Sequence, residues 1–204
     1  YNLVLDRIKD GDKILNLGSG LNFNFEKIIS EKRKVSFTSI DILPAKKPPF
    51  IKEFIIQDVE EPFLLGEKFD LVTFFELIEH LDKTDILLEN CFNNLKKGGL
   101  LIFSFPNLAS LYTRIELFFG FQPHILEVSN QRANFGTGFF GKINNPQDEP
   151  IHHLRGITHR AMKELAQFHG FEIKKIIGYE YRLGRIPSFL SLLASVNIFV
   201  CQKL

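Results

Sequence analysis

Apolar and polar positions change period repeatedly along the chain, and each change marks an element. Residues 2–9, NLVLDRIK, have helical spacing and stop at the turn signal Asp10-Gly11-Asp12. KILNL (13–17) is a short, nearly unbroken apolar run, which predicts a buried first strand. A glycine-containing loop follows, and helical spacing returns from about Phe23 to Lys32. VSFTSI is β-branched and reads as a second strand ending at Asp41; KEFII is a short third strand closed by Gln57-Asp58. Between them LPAKKPP is a loop, because its prolines forbid regular structure on both sides.

The second half repeats the alternation. FDLVTFF, almost wholly apolar, is a fourth strand covered on both faces. DKTDILLENCFNNLKKGG predicts a helix with Lys96 and Lys97 in its last turn and Gly98 as its stop. LLIFSF is a fifth strand ended by Pro106. After an irregular stretch, THRAMKELAQFHG predicts a helix with Thr158 as N-cap and Gly170 as stop. FEIKKIIGYEY and SVNIFVCQKL read as two final strands. Strands alternating with helices give an α/β fold: a Rossmann-like, doubly wound, mostly parallel seven-stranded sheet with an antiparallel last strand. One domain over 1–204 is expected, with 106–151 inserted after the fifth strand. Ligands in such sheets sit beyond the carboxyl ends of the strands.

Composition narrows this little. Apolar residues make up 45% and charged residues 24% of the 204 positions, an ordinary globular balance. The formal charge of +1 provides no global field for nucleic acid or acidic membranes. Cys91 and Cys201 lie far apart and form no metal-type pair, so no metal is expected and a reducing, cytoplasmic setting is. The apolar stretch FLSLLASVNIFV has about a dozen residues, short of the roughly 20 that a spanning helix needs. RLGRIPSFLSLLASVNIFV as a whole is read as a hairpin edge rather than a membrane-surface segment. The chain begins at Tyr1 rather than Met, which leaves room for an upstream segment, a signal peptide included.

The chemistry lies at the strand ends. Gly18 and Gly20 allow a tight turn and let a ligand approach the main chain. Asp41, about 20 residues on at the end of the second strand, can accept from both hydroxyls of a ribose. A dinucleotide site would ask for a third glycine where the chain has Phe23, and a ring there would crowd a pyrophosphate on the helix N-terminus. That counts against NAD and little against a ligand without phosphate.

With these features in order, the chain resembles the class I S-adenosylmethionine-dependent methyltransferases. ILNLGSG resembles the family's glycine motif, SIDI the second motif, QDVEEPF the third and FFELIEHL the fourth. NLKKGGLLIFSFPN resembles the strand that follows. The resemblance implies that Gly18, Ser19 and Gly20 line the methionine part of S-adenosylmethionine and that Asp41 holds its ribose. It implies that Asp58 accepts from the adenine amine beside the Val59 amide, that Ile42 packs on the adenine face, and that Glu76 stands near the amino-acid tail. Phe74 and Phe75 bracket that point, and an aromatic face favours a sulfonium. Glu79 and His80 are read as the start of the next helix. Two positions depart from the pattern: Asn16 replaces a usual acid, and Asn22 stands where many relatives have a further glycine.

The stretch between Pro106 and Ile151 is expected to build the acceptor site and a lid, with SLYTRIELFFG as an amphipathic helix carrying Arg114 and Glu116 on its polar side. A hydroxyl acceptor needs a base near neutral pH. His153 is the first candidate, His152 the second and His124 a third. Arg155 is placed either on an anionic acceptor or on a surface carboxylate. The expected activity is O-methylation of a small molecule or glycan precursor, the latter from a resemblance of the run through HLR to glycan-associated members. An inactive methyltransferase-like binding protein, suggested by Asn16 and Asn22, and an NAD(P)-dependent oxidoreductase are the alternatives.

Overall fold

The apolar runs become the centre of one sheet. In the computed structural model, which describes residues 1–180 and 184–204, β1 (Lys13–Leu17), β2 (Ser36–Asp41), β3 (Glu53–Ile56), β4 (Phe69–Phe75) and β5 (Leu95–Pro106) run parallel. β6 (Phe171–Glu180) and β8 (Val196–Lys203) follow, and a two-residue β7 (Gly184–Arg185) sits at the edge. Among the described residues the order is β3-β2-β1-β4-β5-β8-β6-β7. β8 is antiparallel to both its neighbours, as expected of the last strand, and β7 makes the sheet one strand larger than predicted. Residues 181–183, which close the predicted sixth strand and open the segment after it, lie outside the described residues.

Successive residues of the central strands point to opposite faces, so each strand serves two cores. Leu15, Val72, Phe103 and Phe199 belong to one cluster, and their neighbours Ile14, Leu71, Ile102 and Val200 to the other. Phe74, Phe103, Phe105 and Phe199 are fully buried and pack ring on ring. Truncating any one of them to alanine costs about 3–5 kcal/mol.

The helices are shorter than their patterns. α1 (Asn2–Leu5) is a single turn rather than a helix over 2–9. The Lys9 amide is drawn into the following turn by the Asp12 carboxylate at 2.9 Å. α2 (Asn24–Ser30) starts late because Phe23 is a left-handed cap at φ 49°. α3 (Thr84–Asn94) stops before Leu95, which already pairs with Phe69 as the first residue of β5. Lys96 therefore reaches Asp70 at 2.6 Å from within the sheet rather than from a helical turn.

The insertion has two helices, α4 (Leu111–Phe118) and α5 (Gly138–Asn144). α4 inverts its expected faces: Glu116 is fully buried, while Phe118 is 83% exposed. α6 (His159–Phe168) is capped as predicted, with the Thr158 hydroxyl accepting from the Ala161 amide. Among the described residues no helix is long and apolar enough to cross a membrane.

Candidate functional site

A cleft of about 500 Å³ opens at the carboxyl ends of β1 and β4. Gly18, Ser19 and Gly20 form one wall, and Phe75 and Glu76 the other. The glycine loop is held by its own backbone. Gly18 and Ser19 amides both donate to the Ile40 carbonyl, at 2.9 and 3.2 Å. Gly18 and Gly20 sit at φ 67° and 65°, a region that other residues enter only with strain. A side chain at Gly18 would also press on Leu77, 3.1 Å away.

Asp41 ties the second motif to the first. Its Oδ2 accepts from the Gly20 amide at 2.9 Å and its Oδ1 from the Leu43 amide at 3.0 Å. Each carboxylate oxygen keeps a lone pair for a ribose hydroxyl. Asp58 lies beyond the end of β3, where its carboxylate accepts from the Glu60 amide at 2.8 Å and so shapes the DVEEPF turn. Val59 is buried and held through its carbonyl by Asn90, and Ile42 is 63% exposed. Asp41, Ile42, Asp58 and Val59 thus follow the strand ends beside the cleft rather than lining it.

Under the glycine loop lies a buried polar network absent from the sequence reading. The Asn16 amide donates to Glu26 Oε1 at 2.8 Å, the Ser39 hydroxyl donates to the same oxygen at 2.8 Å, and the Thr73 hydroxyl donates to Asn16 Oδ1 at 2.9 Å. Glu26 comes from the first turn of α2, and it is fully buried. The carboxylate missing at Asn16 is therefore supplied one layer deeper.

Of the two bracketing phenylalanines, Phe74 is core and stacks on Phe103, whereas Phe75 faces the cleft beside Phe25. Phe23 turns its ring edge-on to Phe54 in the core. Glu76 adopts φ 47°, a strained value for a residue with a side chain, and accepts from the Ser104 hydroxyl at 2.6 Å.

Two residues past Glu76, the chain makes a short 3-10 turn, Ile78–His80, ahead of α3 rather than as its start. The Glu79 carbonyl accepts from the Leu154 and Arg155 amides, at 2.8 and 3.0 Å, which docks the HHLR segment on this turn. His153 is thereby brought to His80, ring centroids 4.8 Å apart. The Glu79 side chain is fully buried beside both rings, and burial first, then the Glu76 charge, pushes its carboxyl up to about 8. Burial holds the His153 imidazole below its ordinary range.

The other candidates go elsewhere. His152 takes φ 58°, is exposed, and offers its carbonyl rather than its ring to His80. His124 is bound to the buried Glu116 at 2.8 Å inside the insertion. Arg155 binds the Leu81 carbonyl at 3.0 Å and the Asp82 carboxylate, so it takes the surface partner. Glu26 and Ser104 were not legible as site residues. Only their burial beside the cleft distinguishes them from other glutamates and serines.

A family described as a methyltransferase domain matches residues 1–176. No curated protein matches the sequence significantly. Among solved structures, a SAM-dependent methyltransferase from Methanosarcina mazei is 16% identical, with a TM-score of 0.66 over 100% of this chain and 98% of that one. An S-adenosylmethionine-dependent methyltransferase from Clostridium acetobutylicum is 11% identical, with a TM-score of 0.61 over 99% and 88%. A TehB-like SAM-dependent methyltransferase from Corynebacterium glutamicum is 15% identical, with a TM-score of 0.59 over 100% and 86%. At these identities the structural likeness concerns the fold.

Proposed function

Because this chain belongs to the S-adenosylmethionine-dependent methyltransferases, we propose that it methylates a hydroxyl of a small molecule or glycan precursor in the cytoplasm. The observation that carries the reading is the coupling of two distant motifs: the Gly20 amide bonded to the Asp41 carboxylate, on the wall of a cleft that Glu76 closes opposite. These residues fit the cofactor. The wall that would receive its amino-acid end is bare backbone, with open space where a Gly20 side chain would be. Asp41 presents acceptors for a diol, and among the described residues no basic side chain lines the cleft to repel a sulfonium.

When bound, S-adenosylmethionine supplies an activated methyl group. Gly18, Ser19 and Gly20 would hold its amino-acid end, Asp41 its ribose, and Ile42, Asp58 and Val59 its adenine. Glu76 and the face of Phe75 would offset the cationic centre. In-line transfer depends mostly on alignment, and we assign that task to the apolar cleft floor and to the 106–151 segment as an acceptor-side lid. The departing hydroxyl proton is taken by the group formed by Glu79, His80 and His153. Two buried free thiols, Cys91 and Cys201, suit a reducing cytoplasm. The rival of an inactive binding protein loses one motive, since Glu26 provides the acid that Asn16 lacks.

Calorimetric titration with S-adenosylhomocysteine, with NAD and NADP as controls, tests the reading. Binding of the first ligand alone is expected, weakened about 10- to 100-fold in Asp41→Ala, as for loss of charged hydrogen bonds. Absence of binding in the folded wild type would refute it.

A further inference from the structure

We propose that Glu79, His80 and His153 form a binding site for a divalent first-row transition-metal ion. The first argument is the chemistry of the donors. The partner of His80 Nδ1 is the His152 carbonyl at 3.1 Å, and that of His153 Nδ1 is the Ile125 carbonyl at 2.9 Å. A carbonyl only accepts, so in each neutral ring Nδ1 carries the proton and Nε2 is a bare lone pair. Both Nε2 atoms lie 3.9 Å from the same oxygen, Glu79 Oε1.

The second argument is the carboxylate itself. Glu79 is fully buried, and neither of its oxygens has a hydrogen-bond partner among the described residues. Two lone pairs converging on an unpartnered buried carboxylate repel one another unless a cation lies between them. A protonated Glu79 has one proton to donate and so serves only one of the two Nε2 lone pairs that face it.

The third argument is geometric. The three ligand atoms lie within 4.8 Å of one another. Bonds of about 2.0–2.1 Å place ligands roughly 3.4 Å apart around a tetrahedral ion, so small inward rotations close the site. His80 is free to make one, since its side chain is 35% exposed, and that edge is also the way in for an ion. A ring nitrogen donating to a backbone carbonyl is the usual support for a metal-bound histidine. Two imidazoles and one carboxylate suit zinc, cobalt or iron better than magnesium or calcium.

What the ion does rests on the methyltransferase reading. Three protein ligands leave coordination positions for an oxygen of the acceptor. In the loaded protein both Nε2 atoms are ligands and take no proton; the ion would acidify the coordinated hydroxyl, whose proton would pass to solvent water. The acceptor class is thereby narrowed to molecules with an oxygen that can coordinate a metal. The sequence reading missed this site because Glu79-His80 and His153 lie 73 positions apart along the chain.

The test uses the full chain, tag-free and stripped with EDTA, titrated with Co²⁺ while its visible absorption is followed. One ion per chain with visible bands is expected in the wild type. Affinity should fall in His80→Ala and Glu79→Gln by more than the roughly 10–100-fold that losing a supporting residue costs. His152→Asn, whose exposed side chain is outside the group, should bind as the wild type does. Circular dichroism checks folding, and His80→Ala, at a part-exposed position, keeps the test open if Glu79→Gln unfolds. No saturable Co²⁺ binding by the folded wild type, or unchanged affinity in His80→Ala, would overturn the proposal. Titration of the same samples with S-adenosylhomocysteine separates the two readings. A protein that binds the nucleoside but no metal refutes only the metal site, and the converse refutes the cofactor reading alone.

Discussion

The resemblance to the methyltransferase glycine motif implies an acid where this chain has Asn16, so Asn16→Asp looks like a reversion to type. The network beneath the glycine loop predicts the opposite of a harmless change. Asn16 donates to Glu26 Oε1 at 2.8 Å, and a carboxylate at position 16 has no proton to donate. Losing a hydrogen bond to a charged group costs about 1.5–3 kcal/mol. The two carboxylates would then face each other with charge centres about 4 Å apart, worth roughly 4 kcal/mol of repulsion at an effective dielectric of 20. Partial protonation of the pair caps the sum, and we expect a loss of about 3–5 kcal/mol near pH 8. Urea denaturation reads this as a midpoint lowered by about 2 M, for a slope of about 2 kcal/mol/M.

The pH dependence of that loss has a definite sign. In the folded variant the crowded pair binds a proton more tightly than in the unfolded chain, so stability relative to the wild type falls as pH rises and recovers towards pH 5. Adding Glu26→Gln restores a donor opposite the new acceptor, and the double variant should regain most of the stability. If Asn16→Asp lies within about 0.5 kcal/mol of the wild type at pH 8, or if Glu26→Gln rescues nothing, the network does not govern this position.

Three further outcomes follow from buried or misplaced polarity. Glu116→Ala should destabilise by about 3 kcal/mol in urea, because it strips the partner of His124 inside the insertion; a neutral result would mean that this pair does not hold the segment. Phe118→Ser should change stability by less than about 0.5 kcal/mol, since that ring is 83% exposed, and a large loss in thermal melts would show that its face is covered. Burial depresses the His159 imidazole below its ordinary range, so as pH falls the unfolded chain takes the proton first. The stability that His159 contributes should therefore decline as pH drops below about 6.5, read as the difference between the wild type and His159→Gln across that range, since the raised Glu79 carboxyl acts in the opposite sense in both proteins.

The succession of strands along the chain was legible because period and apolar runs are local properties, and the five strands read between Lys13 and Phe105 are all present in the sheet. Boundaries were less so. Phe23 reads as a helical residue but caps α2 from the left-handed region, and Leu95 reads as helix but pairs with Phe69, a partner 26 positions away. The glycine loop and Asp41 could be joined from sequence because their spacing is tied to one strand–helix–strand unit. Glu116 could not be placed, since its helical spacing marks it as polar surface and only the distant His124 explains its burial. The same holds for Glu79, whose neighbours come from the far side of the insertion.

The position of β8 bears on how the sheet is assembled. β8 lies between β5 and β6, pairing with Leu100–Pro106 on one side and Phe171–Tyr179 on the other. β6 therefore has no place beside the parallel strands until β8 arrives, and the closing contacts between β5 and β8 span about a hundred positions of chain. Non-local pairing of this kind is slow. The five parallel strands, whose neighbours are joined by shorter connections, have the means to form first. Until β8 fills the gap, β5 is an open apolar edge, and in that interval the chain is most exposed to pairing with another copy of itself.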